Sequence, residues 1–330
     1  MREIKFIKRP KLYNPYLITA WPGMGEVAFK VVNFLIENLK AQEFAYIEGK
    51  SYFYYTGGVI NDGILKLPDL PYNKFFYCKN VVIRSELDSS RHDLILFLSN
   101  AQPDLAKYEE YVETIFSILK YFDIKMVISS AAMPLPIDYN QKPAVWFCAT
   151  DNKLKEIGFK YNLKLISEGQ ISGMNGLFLA LAKKRGLRGF CLLGEIPFYT
   201  IQIENPKASA AILEVLSGIL NLSLDLKPLI QQADFVEQQI EQLIEYFKGG
   251  NTQSVGPIGE EEIEKIKKSL SQYTKLPDSV KQNIERLFEQ AKNDISQANI
   301  LKKELDKWNV YKEYEDRFLD LFKRSKDKGN

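Results

Sequence analysis

A single histidine, His92, serves the whole 330-residue chain. Ser-His-Asp triads, zinc hydrolases and imidazole acid–base mechanisms each need at least one, so any of them would have to pass through this residue. It lies in Ser89-Ser90-Arg91-His92-Asp93, a polar turn ahead of the buried-looking run Leu94–Leu98, and reads as a solvated loop histidine. Cysteine is nearly as scarce. Cys78, Cys148 and Cys191 stand far apart inside apolar runs, without the close pairing that structural zinc or a small disulfide framework requires. They read as reduced core residues, and no metal or cofactor is expected. Excess charge is also missing: 44 Lys and Arg against 42 Asp and Glu leave a net +2, too little for a global field that draws in nucleic acid. No apolar run approaches the roughly 18 residues that span a bilayer, and Met1–Lys5 opens without an apolar leader. The expectation is a cytoplasmic protein with neither membrane nor nucleic-acid partners.

What the chain does contain is core material. Hydrophobic residues make up 45% and aromatics 12%, and mean hydropathy is −0.23, which suits one large domain with an appendage, or two domains. From Tyr16 to about Leu224, short apolar runs alternate with helical patterns, the mark of a sheet with helices on its faces. Strands are predicted at 16–21, 44–48, 75–78, 94–98, 126–129, 145–149 and 190–193, and helices at 26–39, 106–121, 173–184 and 206–220. Asn205-Pro206 supplies an N-cap and N1 pair for the last helix. Tyr52–Thr56, Gly57-Gly58 and Ile60–Ile64 read as strand, turn and return strand, making part of the sheet antiparallel. Met133-Pro134-Leu135-Pro136 reads as an irregular loop, because neither proline can donate a ladder hydrogen bond.

After Leu226 the β-branched runs stop, and a boundary is placed at residue 227: an α/β domain over 1–227 and a helical extension over 228–330. Phe235, Val236, Ile240, Leu243, Ile244 and Phe247 form one apolar stripe, followed by a Gly-containing linker near 249–259. Beyond it Ile284, Leu287, Ala291, Ile295, Ala298, Leu305 and Trp308 recur at helical steps. These helices either pack on one another or the α/β body, or offer an interface between chains. On the second reading Phe235, Ile240, Leu243, Phe247, Leu287, Ile295 and Trp308 are the partner-binding candidates.

Three segments could carry chemistry. Leu17–Ala28, through Trp21-Pro22-Gly23-Met24-Gly25-Glu26, is a strand, a glycine turn and a helix start. Backbone N–H groups there could hold an anion, but the run is neither dinucleotide fingerprint nor P-loop, and Glu26 would repel one. A purely structural turn is the other reading. Glu168–Leu177 again enters a helix through glycines, and Ser172, outside a G-x-S-x-G elbow, reads as its cap. Gly189–Pro197 is a buried strand with Glu195 near its end, able to act as an acid, a base or an acceptor. Gly23, Met24, Gly25, Ser172, Asn175 and Glu195 together make a candidate ligand crevice. No catalytic residue is assigned.

In this order the segments resemble the proteasome assembly chaperone 2 (PAC2) family over roughly residues 10–230. The similarity is carried by Trp21–Gly25, Asp93–Asn100 with Gln102-Pro103, and Ala149-Thr150. Gly169–Gly176, Leu192–Pro197 and Asn205–Ala208 complete it. The resemblance implies a three-layer α/β/α sandwich with a mixed sheet, nucleoside-phosphorylase- or hydrolase-like, usually in homo-oligomers and without established catalysis. It also implies assistance in assembling the proteasome α-ring. Some relatives dock through a C-terminal hydrophobic-Tyr-any tripeptide. This chain ends Lys328-Gly329-Asn330, so that mode is not expected, and Val310-Tyr311-Lys312 is internal. Ala28 replaces a glycine common among relatives, and Ile137–Pro143 lacks the Pro-His-Thr-Arg-Pro run of many bacterial members. The expected function is a non-catalytic, oligomeric assembly factor binding proteasome α-subunits or another complex. The alternative is an enzyme or small-molecule binder with a phosphorylase-like crevice.

Overall fold

The structure, a computed structural model, describes residues 4–249 and 278–326, apart from 56, 62, 83, 84, 86, 88, 89, 308 and 309. They divide into two compact units, Met1–Pro197 with Ile203–Gln238, and Phe198–Gln202 with Gln239–Asn330.

The first unit begins with β1 (Ile4–Phe6), β2 (Tyr16–Ala20), α1 (Val27–Asn38), β3 (Gln42–Ile47), β4 (Val59–Asn61), β5 (Ile64–Lys66), β6 (Asn73–Val82) and β7 (His92–Ser99). It continues with α2 (Tyr108–Phe122), β8 (Met126–Leu135), β9 (Val145–Ala149), α3 (Asn152–Lys160), β10 (Lys164–Leu165), α4 (Met174–Lys184), β11 (Arg188–Pro197) and α5 (Pro206–Leu220). Next comes α6 (Lys227–Gly249). Among the described residues the main sheet has nine strands, ordered β1-β3-β6-β7-β2-β8-β11-β9-β10. The centre, β7-β2-β8-β11, is parallel, and β6, β3 and β1 join antiparallel on one side. On the other, β9 runs antiparallel to β11 and β10 parallel to β9.

Every residue of β2 and β7 is buried, as a parallel strand covered on both faces must be, which is why these runs read as uninterrupted apolar stretches. Leu17, Ile95, Phe97, Val127, Cys191 and Leu193 project to one face, where Tyr111, Val112 and Ile115 of α2 and Met174 and Phe178 of α4 complete a core cluster. The other face takes α1 and α5, which pack on each other and against β8 and β11. The result is the mixed-sheet α/β/α sandwich. Its outer strands, β1 and β10, are only three and two residues long, which limits edge-to-edge pairing. Asn205 caps α5 as its sequence announces, Oδ1 accepting from Ala208 N–H at 2.9 Å. Such a cap contributes about 1 kcal/mol.

Two expectations are corrected. Met133-Pro134-Leu135 is not loop: β8 continues through Leu135, with Pro134 opposite Ile196 of β11. Among the described residues β8 pairs with β2 only as far as Ser129, so one edge is open beyond it and can hold a residue without N–H. The hairpin is also shifted. Its strands are β4 and β5, the chain reverses between Asn61 and Ile64 with Gly63 at φ +76°, and it forms a separate two-stranded sheet. Asn61-Asp62-Gly63 is the stronger turn signal, since it supplies positive φ at the reversal itself. Three short elements, β1, β10 and α3, were not anticipated.

The second unit holds α7 (Asp278–Asn293), α8 (Ala298–Lys307) and α9 (Tyr311–Lys326), packed on one another. Ile284, Leu287, Phe288 and Ala291 of α7, Leu301 and Leu305 of α8, and Phe318 and Leu321 of α9 are all buried, as expected for the apolar faces of helices in contact. Arg317 of α9 makes a two-pronged ion pair with Glu285 and lies 4.2 Å over the Phe288 ring. Of the described helices in both units, none is long and apolar enough to cross a membrane.

Candidate functional site

β2 delivers the chain at Ala20 into Trp21-Pro22-Gly23-Met24-Gly25-Glu26, which turns into α1. Gly25 has φ +61°, and a Cβ there would stand 3.2 Å from Asn205 Cβ and 3.4 Å from Ile196 Cδ1. Glycine is therefore demanded by both backbone and space. Glu26 is left-handed too, its N–H donating to Gly23 O at 3.0 Å, while Asn205 N–H donates to Gly25 O at 2.8 Å.

Two side-chain amides then latch the loop. Asn175 of α4 accepts from Trp21 N–H through Oδ1 and donates through Nδ2 to Trp21 O, both at 3.0 Å. Gln102 donates to Pro22 O at 2.6 Å and accepts from Met174 N–H at 3.0 Å, tying the loop to the start of α4. The latter bond replaces the cap expected from Ser172: the N-cap position is Gly173 at φ +74°, and Ser172 is exposed. Beneath the latch the fully buried Trp21 indole donates to Tyr111 OH at 2.9 Å, which donates to Asn73 Oδ1 at 2.7 Å. Burial holds the Tyr111 phenol above its ordinary pKa despite hydrogen bonds to Trp21 and Ser99, so it remains protonated and able to donate. Tyr111 and Asn73 were missed in the sequence, since Tyr111 reads as one more residue of the 106–121 helix and Asn73 falls just before the predicted strand 75–78.

The loop's electrostatics favour no anion. Burial, and then Glu204, raise the pKa of Glu26 against the opposing effect of Lys30, whose ammonium pairs with Glu204 at 2.8 Å. The positive end of α1 thus already faces a carboxylate.

The structure brings Gly23 and Asn175 together, with Asn175 Nδ2 3.6 Å from where a Gly23 Cβ would lie, and sets Gly25 against Ile196. Met24 is half-buried in the same turn. Glu195 belongs to another cluster. Neighbouring residues of a strand face opposite ways, and Glu195 turns to β9 and β10 while Ile196 meets the loop. Its carboxylate accepts from Ala144 N–H at 2.9 Å, Trp146 Nε1 at 2.8 Å and Lys164 Nζ at 2.7 Å. Desolvation pushes its pKa upward, but these three donors, led by Lys164, outweigh it and hold it below the usual glutamate value.

His92 is not a solvated loop residue. It opens β7, buried, with Nδ1 2.7 Å from Asn14 O, Nε2 2.8 Å from Tyr16 OH, and its ring stacked 3.9 Å from that of Tyr16. Its burial follows from β7 starting two residues before the apolar run. Of the helix candidates, Ile240 and Leu287 are buried, and Phe235 and Ile295 exposed. The side chains of Leu243 and Phe247, Trp308 and linker residues 250–259 lie outside the described residues. Among the described residues no group of three His, Cys, Asp or Glu could hold a metal ion.

A groove of about 520 Å³ opens elsewhere, lined by Glu43, Tyr46, Glu48, Lys50, Leu70 and Lys74 among others. Its rim charges pair among themselves, Lys74 with Glu43 at 2.9 Å and Lys50 with Glu48 at 3.1 Å. Different in kind is the β4–β5 hairpin. Ile60 is 71% exposed, Leu65 and Leu67 are 70%, Ile64 is 59% and Val59 is 51%, with Tyr54 and Tyr55 exposed just before them. Ile60 pairs with Leu65, and Val59 with Lys66, so apolar side chains occupy both faces of the two-stranded sheet.

A family model matches residues 17–244, from the middle of β2 into α6, and describes the PAC2 family. The chain belongs to the PAC2 family. The match takes in latch and hairpin but not the helices after residue 278. An uncharacterised protein of Methanocaldococcus jannaschii is 25% identical over 246 residues, 74% of this chain and 92% of that protein. Among solved structures, Pyrococcus furiosus PbaB, described as an archaeal proteasome activator, superposes with a TM-score of 0.61 at 25% identity, covering 73% of this chain and 99% of PbaB. P. furiosus PbaA, described as an archaeal homologue of proteasome-assembly chaperone, gives 0.55 at 23% identity over 72% of this chain and 95% of its own. In this PAC2 chain the glycine loop and the Leu192–Pro197 strand end thus belong to the shared fold.

Proposed function

We propose that this PAC2 protein is a non-catalytic assembly factor of the chaperone type, acting in the cytoplasm as an oligomer that binds other proteins. Proteasome α-subunits are the first partner to test. The carrying observation is the hairpin. Val59, Ile60, Ile64 and Leu65 on its strands are each more than half exposed, with Leu67, Tyr54 and Tyr55 exposed beside them, and clustered apolar exposure of this kind marks interaction sites. A two-stranded sheet with two wet apolar faces is also marginal by itself, and cover by a second protein surface stabilises it. The description of PbaA as a homologue of proteasome-assembly chaperone supports the assembly reading, and that of PbaB as a proteasome activator supports the proteasome as the partner to test. The latched loop and saturated Glu195 leave few polar groups to spend on a substrate. The alternative, a phosphorylase-like crevice, has no comparable observation in its favour.

The test sets the wild-type chain beside an Ile60→Asp/Leu65→Asp variant, both immobilised and exposed to purified α-subunits of the same organism, with mass measured by light scattering. Capture and an oligomeric mass for the wild type, with either lost in the variant while its melting point holds, is the expected result. Equal behaviour of the two proteins removes the hairpin from the function. A monomeric wild type that captures nothing removes the proposal.

A further inference from the structure

Cys148 and Cys191 are 43 positions apart in the chain but directly opposite each other on the antiparallel strands β9 and β11. The register fixes their spacing. Along the same ladder Thr150 N–H donates to Gly189 O at 2.9 Å and Glu195 N–H to Ala144 O at 3.1 Å, which places the Cys pair, in step with both, at a hydrogen-bonded position. Cα atoms at such positions lie about 5.5 Å apart, inside the 4.4–6.8 Å that a disulfide spans, whereas the Cβ atoms stand farther apart than at non-hydrogen-bonded positions and must draw together to close the bond, which makes it readily reducible. Side chains opposite one another project to the same face, so the two thiols are neighbours there.

We propose that Cys148 and Cys191 are a reversible dithiol–disulfide site, oxidised by a small peroxide. The two sulfurs have unequal roles. Cys148 is partly exposed, and the neighbouring Cys191 thiol holds its pKa below the ordinary cysteine value. Cys191 is fully buried with its thiol donating to Leu192 O at 3.9 Å, and the neighbouring Cys148 sulfur, then burial, raise its pKa. The Cys148 thiolate attacks one oxygen of hydrogen peroxide, breaking the O–O bond to give the sulfenic acid and hydroxide, which takes a proton to become water. Cys191 then loses its proton and attacks the Cys148 sulfur, expelling the second oxygen as water. Two thiols and one peroxide become one disulfide and two waters. The bond staples β9 to β11 and closes a loop containing α3, β10 and α4, including Asn175. A dithiol reagent reverses it.

Cys78 is the internal control. Burial and then Asp93 push its thiol up to about 12, so it stays reduced. The experiment exposes the full chain to graded hydrogen peroxide, counts free thiols, and maps linked peptides by mass spectrometry without reduction. Expected are loss of two thiols together, a Cys148–Cys191 linked peptide, a higher melting point, and return of both thiols with dithiothreitol. A Cys78→Ser variant should behave identically, whereas Cys191→Ser should halt at oxidised Cys148. Overturning results are Cys148 passing to sulfinic acid while Cys191 stays a thiol in the wild type, linkage through Cys78, or both thiols surviving peroxide that oxidises an exposed cysteine peptide.

Discussion

The glycine loop and the hairpin make opposite use of their residues. In the loop, backbone groups are bonded by Asn175, Gln102 and Asn205, and Trp21 is fully buried. In the hairpin Ile60 and Leu65, and just after it Leu67, remain about 70% exposed. Glycine-rich turns at strand ends often mark chemistry, and here the turn is consumed by its own fold. The exposed apolar surface that the proposed function assigns to a partner lies in a segment with little chemical equipment. For this chain, the region that looks most like an active site has its backbone tied into the sandwich by side-chain amides.

That contrast can be broken by mutation. Trp21→Ala should cost the most, about 3–5 kcal/mol, by opening a cavity among Phe97, Phe178 and Tyr111. Urea unfolding measures it, and a loss below 1 kcal/mol would mean that the latch region is not core. Asn175→Ala leaves the Trp21 N–H and C=O without partners and should cost about 2–4 kcal/mol in the same titration. A neutral result would reopen Asn175 as a ligand group. Gly25→Ala, at φ +61° and in close contact, should cost about 1–3 kcal/mol, and a stabilised variant would contradict the turn geometry.

Glu195 gives a smaller, pH-dependent effect. Its folded pKa lies below the unfolded value near 4.5, so its stabilising contribution is present above that value and is lost as pH falls through the folded pKa. Glu195→Gln should therefore flatten the acid limb of the stability profile below about pH 4.5, and identical acid limbs would show that the Lys164 bond contributes nothing in solution. Smallest of all, Leu65→Ser on the hairpin should change monomer stability by no more than about 0.5 kcal/mol. A large loss there would show that the hairpin is structural.

Much of the sandwich was legible in the sequence because buried parallel strands must be apolar on both faces. The runs at 16–20, 94–98 and 126–129 could be little else, and the Asn205-Pro206 start of α5 is local chemistry. Pro134 misled because its place in a strand depends on β2 stopping short beside it, a nonlocal fact. Gly57-Gly58 misled because a better turn stood four residues later. Within the candidate crevice, the glycine requirement at 25 was readable, whereas the separation of Glu195 from the loop depended on which face each residue of β11 takes.

The sequence alone determined that an α/β body is followed by amphipathic helices and that imidazole chemistry has one residue to work with, because periodicity and composition are local properties of the chain. Tertiary structure decided the rest. It buried His92 against Tyr16, turned Asn175 onto the Trp21 backbone, set Cys148 opposite Cys191 and left the hairpin uncovered. Each of these pairs residues tens of positions apart or depends on what fails to pack on a segment. Only strand order and register carry that information.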